Sequence, residues 1–204
     1  MQRYQLNQHE AEVIEHVVRT VLSIGRDNHF DEKFDMAFNN LNYHTANGQD
    51  KMVVIPVGLD WVVKFGLHED GDARCLKEVE VFEQAEEDGM AWGFAPCYLY
   101  LQTDDFVFTI MRACDCCEEA IDDEFFESVS KSYDKEDFEN EDDYYEAINA
   151  ETDDLTDWDR AYIIFNNDKI CSWLSEHCIN DLHCGNFGRL GGMNVLVDYS
   201  GYHW

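Results

Sequence analysis

Asp181-Leu182-His183-Cys184-Gly185-Asn186, answered further on by Val195-Leu196-Val197-Asp198-Tyr199-Ser200-Gly201, is the stretch on which the reading of this chain turns. The first segment puts a carboxylate and an amide in one short loop. The second ends an apolar, strand-like run on another carboxylate. Phosphoryl transfer asks for these groups in this order: a base for an acceptor hydroxyl, an amide oxygen for a metal, and a carboxylate on the other arm of a hairpin to hold metals against phosphates. Taken singly, Asp181 to Asn186 reads as an Asx-and-Gly turn and Asp198 as a strand-end cap. Together they point to a site, with Asp181 as the base and Asn186 and Asp198 as metal ligands. Hard oxygen donors of this kind suit magnesium, which keeps waters and completes its shell with phosphate oxygens.

Upstream, residues 157–178 read as one apolar helix through Ile163, Ile164, Ile170, Trp173 and Leu174, feeding into the Asp181 loop. Before it, residues 115–159 form an acidic block with almost unbroken charge over 136–143. Phe125, Phe126, Tyr133, Phe138, Tyr144, Tyr145 and Trp158 lie inside that block and argue against a solvated tail; helices over 118–130 and 141–150 are predicted.

The first half alternates differently. Residues 51–57 and 61–66, around a Gly58-Leu59-Asp60 turn, read as a strand hairpin. Residues 67–72 carry turn signals. Residues 73–88 predict a helix with Leu76, Val79, Phe82 and Ala85 on one face. Residues 97–101 and 106–111 read as two further strands, which completes an order of strand, strand, helix, strand, strand. Residues 8–24 predict an amphipathic helix through Val13, Val17, Val18, Val21 and Leu22, whereas 28–50, rich in Asn and Phe, have no clear assignment. The expected architecture is α+β and two-lobed. It has a helical or irregular extension over 1–50, an antiparallel sheet with one helix over 51–114, and a truncated, mostly helical lobe over 115–204 that contains the acidic insert 115–159.

Lys64 stands at the end of a strand after a tight turn, where an ammonium can contact phosphate oxygens. In isolation it is an exposed strand-end lysine. The helix behind it offers Glu78 near the sheet-facing edge as a partner that would hold Lys64 towards ATP, with Glu80 and Glu83 as rivals on the same helix.

The chain has 204 residues, 45% of them hydrophobic and 14% aromatic, enough for a real core. No apolar run approaches the ~20 residues that cross a bilayer, so no membrane partner is expected. The polar N-terminal segment lacks an apolar signal-peptide core, and a cytoplasmic location is expected. With 14 Lys and Arg against 44 Asp and Glu, the net charge is −30. Such a field repels nucleic acid and favours basic protein partners, or simply keeps the chain dispersed. Cys114-x-Cys116-Cys117, His177-Cys178 and His183-Cys184 offer zinc-type ligands without a clean C-x-x-C pair, and zinc is left open.

On Val62-Val63-Lys64-Phe65-Gly66, the two strands at 97–101 and 106–111, the acidic segment after them, and Asp181-Leu182-His183-Cys184-Gly185-Asn186 with the strand to Asp198, the chain resembles the protein-kinase-like superfamily. More narrowly, it is similar to the early Ser/Thr protein kinases of short-tailed lytic coliphages, over roughly residues 50–204. The resemblance implies a minimal protein-kinase-like fold. It also implies ATP and Mg2+ as cofactors and phosphorylation of host proteins, such as transcription, RNA-processing or defence enzymes, in the host cytoplasm. In related small-molecule kinases a His is common at the place of His183, which implies that His183 organises the loop instead of ligating metal.

The chain also departs from that pattern. No Gly-x-Gly-x-x-Gly precedes Lys64, and Gly48 and Gly58 are the only glycines available for such a loop ahead of its strand. Cys178-Ile179-Asn180 stands where eukaryotic kinases carry His-Arg, and nothing after Gly201 matches an activation segment. Two other readings follow. One is an acidic, kinase-like protein that binds and inhibits a basic host nucleic-acid enzyme or defence factor without turnover. The other is a small-molecule phosphotransferase of the aminoglycoside type.

Overall fold

The computed structural model describes residues 5–26 and 28–200, so Gly201 of the second motif and the first four residues of the N-terminal segment lie outside the described residues. The chain divides into two compact units, Met1–Ala91 with Ala95–Ala113, and Trp92–Phe94 with Cys114–Trp204. The class is α+β. Among the described residues, no helix is long and apolar enough to cross a membrane.

The first unit is a sheet covered on both faces. Helix α1 (Gln8–Ile24) begins in a capping box: Asn7 accepts from the Glu10 amide, and Glu10 accepts from the Asn7 amide. Its buried stripe is Ile14, Val17, Val18 and Val21, while Leu22 faces outward. The unassigned stretch 28–50 contains helix α2 (Phe30–Phe38) and strand β1 (Tyr43–Asn47). Phe30, Phe34 and Phe38 recur every fourth residue and stack along one face, at 5.6 and 4.8 Å between successive rings. The described residues before Lys51 thus lie in the first unit, and β1 joins its sheet.

Strands β2 (Lys51–Pro56), β3 (Trp61–Gly66), β4 (Cys97–Gln102) and β5 (Val107–Arg112) join β1 in the order β1-β2-β3-β5-β4, antiparallel throughout. The predicted hairpin turns at Gly58 (φ 82°). Alternation sends Met52, Val54, Trp61, Val63 and Phe65 into one core cluster with α1 and α2. Lys51, Val62 and Lys64 point to the other face, which packs on helix α3 (Glu69–Asp88). Each large apolar side chain buried here contributes about 1.5–3 kcal/mol.

Helix α3 starts four residues before its predicted first residue. His68 caps it through the Gly71 amide, and Glu69, Asp70 and Asp72 suit its positive end. Gly71 reads in sequence as a turn residue, yet its purpose is proximity. A Cβ there would sit 2.0 Å from the Asp50 carbonyl oxygen, and one on Gly66 would sit 2.2 Å from the Asp72 amide. Asp72 then ties the corner together, accepting from Arg26 at 2.7 Å and from the Val107 amide at 2.9 Å.

The second unit is mostly helical. Strand β6 (Asp115–Cys116), β7 (Phe187–Leu190) and β8 (Met193–Leu196) form a small sheet in that order. The acidic block folds as helices α4 (Glu118–Ser130) and α5 (Glu141–Asp153), burying Ile121, Phe125, Val129 and Ile148. The single helix expected over 157–178 is two: α6 (Asp157–Phe165) and α7 (Asp168–Glu176). Asn166 turns left-handed at φ 45°, and Asn167 caps α7 by accepting from the Lys169 and Ile170 amides. Phe94 anchors this unit's core between Trp173 and Tyr199, at ring distances of 5.4 and 5.0 Å.

Candidate active site

In the first unit the structure brings Lys64 and Glu78 together and adds a residue that the sequence reading passed over. Lys64 Nζ donates to Glu78 Oε1 at 2.7 Å, and so does Lys51 Nζ, also at 2.7 Å. All three are buried: Lys51 is 7% exposed, Lys64 4% and Glu78 0%. The register explains the convergence. Val53 pairs with Lys64 and Lys51 with Gly66, so the two lysines lie diagonally on adjacent strands and share one face. The rivals drop out. Glu80 is exposed and lies 4.0 Å from the Lys77 ammonium, while Glu83 is exposed. Glu78 Oε2 is buried without a hydrogen-bond partner among the described residues, so one carboxylate oxygen carries both ammonium groups.

In the second unit Asp181, Asn186 and Asp198 gather around the foot of the β7–β8 hairpin. Asn186 Nδ2 donates to the Asp181 carbonyl oxygen at 2.6 Å and reaches Asp181 Oδ2 at 3.4 Å. The amide nitrogen is thereby committed, which leaves the amide oxygen as the atom suited to a cation. The Val197 amide donates to the Asn186 carbonyl oxygen at 2.9 Å, which sets Asp198 beside the loop, and Ser200 Oγ donates to Asp198 Oδ1 at 3.2 Å. An amide oxygen and a carboxylate fit magnesium in chemistry and number, because that ion takes only one or two protein ligands where phosphates supply others. Among the described residues, no group of three or more His, Cys, Asp or Glu side chains is placed to hold a metal ion.

The loop is held in shape from behind. Asp181 has a left-handed backbone, φ 69°. Asp157 Oδ1, at the start of α6, accepts the Leu182 amide at 2.7 Å. His183 Nδ1 accepts the Gly185 amide at 3.1 Å, capping the 3-10 turn Cys184–Asn186. Beside Asp157 and Leu182 lies a pocket of about 340 Å³, lined also by Trp158, Leu174, Cys178 and Asn180. It has no Lys or Arg in its lining and therefore nothing to meet phosphate charge.

The described cysteines are free thiols, and those near the site are poor nucleophiles. Burial, assisted by the Glu78 charge, pushes the Cys75 thiol up to about 12. Burial, then the neighbouring Asp122 and Glu118, pushes Cys184 up to about 11. Nucleophilic cysteine chemistry at neutral pH is thus disfavoured at both positions.

Two residues that the structure ties to the candidate site were missed in the sequence. Lys51 looks like any strand-start lysine, and only the hairpin register reveals it. Asp157 looks like a helix-start acid, and its bond to Leu182 is a long-range contact without a local signal. Compared with protein-family models and with curated proteins, the chain matches none.

Proposed function

We propose that the chain is an ATP- and Mg2+-dependent Ser/Thr protein kinase of the phage type, which transfers the γ-phosphate to host proteins with basic surfaces in the cytoplasm. The observation that carries this reading is the buried contact of Lys64 with Glu78, because a lysine oriented by a helix glutamate is what a phosphate-steadying lysine requires. In this reading Asp181 accepts the hydroxyl proton of the acceptor. Asn186 and Asp198 hold magnesium, which neutralises phosphate oxygens when bound. Rate enhancement then comes from positioning and charge neutralisation, with little covalent work for the protein. The test is transfer of labelled phosphate from ATP to the chain itself or to a basic protein. Transfer is expected to need Mg2+ and to vanish in Asp181→Ala and Asp198→Ala. Unchanged transfer in both variants refutes the assignment.

A second reading is favoured by the charge of −30, concentrated in helices such as α4 and α5. Here the chain occupies the basic groove of a host nucleic-acid enzyme or defence factor. Inhibition is then stoichiometric, weakens steeply with salt and survives Asp181→Ala. Inhibition that needs ATP and only catalytic amounts of the chain rules this out.

A further inference from the structure

We propose that the outer edge of β1 is a docking site for an extended, basic segment of a partner protein, which pairs with β1 as a further strand of the first unit's sheet and seats a cationic side chain beside Asp35; this rests on the reading above for the basic character of the partner. The pairing phase shows which backbone groups are open. The Asn42 carbonyl oxygen accepts the Val57 amide, and the Gly48 amide donates to the Lys51 carbonyl oxygen. The positions that bond across to β2 are therefore the even ones, among them His44 and Ala46. Tyr43, Thr45 and Asn47 alternate with them and turn their amides and carbonyls away from β2. Among the described residues, β1 has no neighbouring strand on that side. The Tyr43 amide is taken by the Asn40 carbonyl oxygen at 3.3 Å. The amides and carbonyls of Thr45 and Asn47 have no backbone partner among the described residues.

Proteins ordinarily blunt such an edge with a lysine, a proline or a bulge, because open backbone groups template further strands. The opposite edge of this sheet follows the rule, since β4 is interrupted by a register shift between Leu99 and Leu101. The β1 edge does not. Tyr43-His44-Thr45-Ala46-Asn47 has no proline and no formal charge in a chain that is 28% charged, and its register against β2 is unbroken. His44 to Asn47 are exposed, and so is Leu41 just before them, at 97%. A second, independent feature lies along the same edge. A pocket of about 290 Å³ is lined by Phe34, Asp35, Phe38 and Asn39 of α2 and by His44 and Thr45 of β1, and Asp35 supplies its one formal charge. Thr45 pairs with Val54 and shares its face, the face that packs on α2, so a strand laid against β1 sends alternate side chains towards this pocket. Asp31 and Glu32 are also exposed on α2, with Lys33 the one opposite charge on that helix. An alternating strand with Lys or Arg on one face suits both the edge and the pocket. A second copy of the chain does not, because it brings another net charge of −30 to the same edge.

Calorimetric titration of a synthetic peptide of alternating Lys and Thr into the natural chain tests this. The control is the same peptide N-methylated throughout its backbone, which keeps every charge and removes every ladder donor. The plain peptide is expected to bind, and the methylated one about tenfold more weakly or worse. On the protein side, proline is tolerated on an edge strand where the amide faces outward, so Thr45→Pro is expected to fold, by circular dichroism, and to bind about tenfold more weakly. Asp35→Asn is expected to bind several-fold more weakly and with a shallower dependence on salt. A further arm uses the natural chain only: amide hydrogen exchange at Thr45 and Asn47 is expected to slow when the peptide is bound. No binding of the plain peptide, equal binding of both peptides, unchanged exchange at Thr45 and Asn47, or natural affinity in a folded Thr45→Pro overturns the docking edge and leaves the phosphate-transfer test as it stands. A dimer of the natural chain that sedimentation detects and Thr45→Pro dissolves gives the edge to a second copy and overturns the basic partner. Absence of phosphate transfer with peptide binding intact overturns the kinase reading and not the edge.

Discussion

Glu78→Gln is the sharpest probe of the buried cluster. The substitution keeps the shape of the side chain and removes the negative charge that two buried ammonium groups share. Each contact is a charge-assisted hydrogen bond of 2.7 Å, worth about 1.5–3 kcal/mol. Breaking a buried ion pair by removing one partner costs about 3–5 kcal/mol in general. The two routes agree on a loss of about 4 kcal/mol, a large share of the ~5–15 kcal/mol that holds a domain together. With a urea slope of about 2 kcal/mol per molar, the unfolding midpoint falls by about 2 M. Lys51→Met is expected to cost less, because Lys64 keeps Glu78. The cycle made with Lys51→Met/Glu78→Gln should show coupling of about 0.5–3 kcal/mol, as neighbours sharing a partner do. Urea titrations followed by far-UV circular dichroism measure all four chains. The reasoning fails if Glu78→Gln unfolds within about 0.5 kcal/mol of the natural chain, or if Lys51→Met costs as much as Glu78→Gln.

Three further outcomes are expected. Asp157→Ala frees the Leu182 amide and should lower stability by about 1–2 kcal/mol, while phosphate transfer falls more than that loss of folded protein explains; transfer that merely tracks the folded fraction contradicts the loop-holding role. Gly71→Ala drives a Cβ towards the Asp50 carbonyl oxygen and should cost about 2–3 kcal/mol or more, read as a lower melting temperature. The Cys184 thiol, raised to about 11, should react slowly with iodoacetamide at neutral pH, and its rate should climb as pH rises towards 11 and thiolate forms. The same raised values at Cys75 and Cys184 make stability complete below about pH 9 and diminishing above it, where the unfolded chain ionises its thiols first.

How much of this was legible depended on the range of each signal. Lys64 followed from a hairpin and a turn, and Glu78 from helical spacing, both local. The choice between Glu78 and its rivals needed burial, which is a property of the packed sheet. Lys51 needed the pairing register, because charge at a strand start reads as exposure. Helix α2 had its signal in Phe30, Phe34 and Phe38, masked by surrounding Asn and acidic residues. The break between α6 and α7 was written in Asn166-Asn167-Asp168 but hidden by apolar residues that keep helical spacing across it. The start of α3 was obscured by Gly71, whose role is close approach and not turning. The acidic block folds because Ile121, Phe125, Val129 and Ile148 are placed for burial, a pattern the surrounding charge makes easy to overlook.

The bond from Asn186 to the Asp181 carbonyl oxygen has a consequence for how any set of variants behaves. The amide proposed to ligate metal is also the latch that keeps the proposed base in its left-handed turn, a conformation that costs a residue other than glycine about 1–2 kcal/mol. Ligand and base are therefore one mechanical part. Removing Asn186 lets Asp181 relax, so Asn186→Ala and Asp181→Asn should each lose most of what the double variant loses, and their effects will not add. Asp181→Asn is the cleaner of the substitutions at the base, because Asn tolerates the left-handed turn that Ala resists.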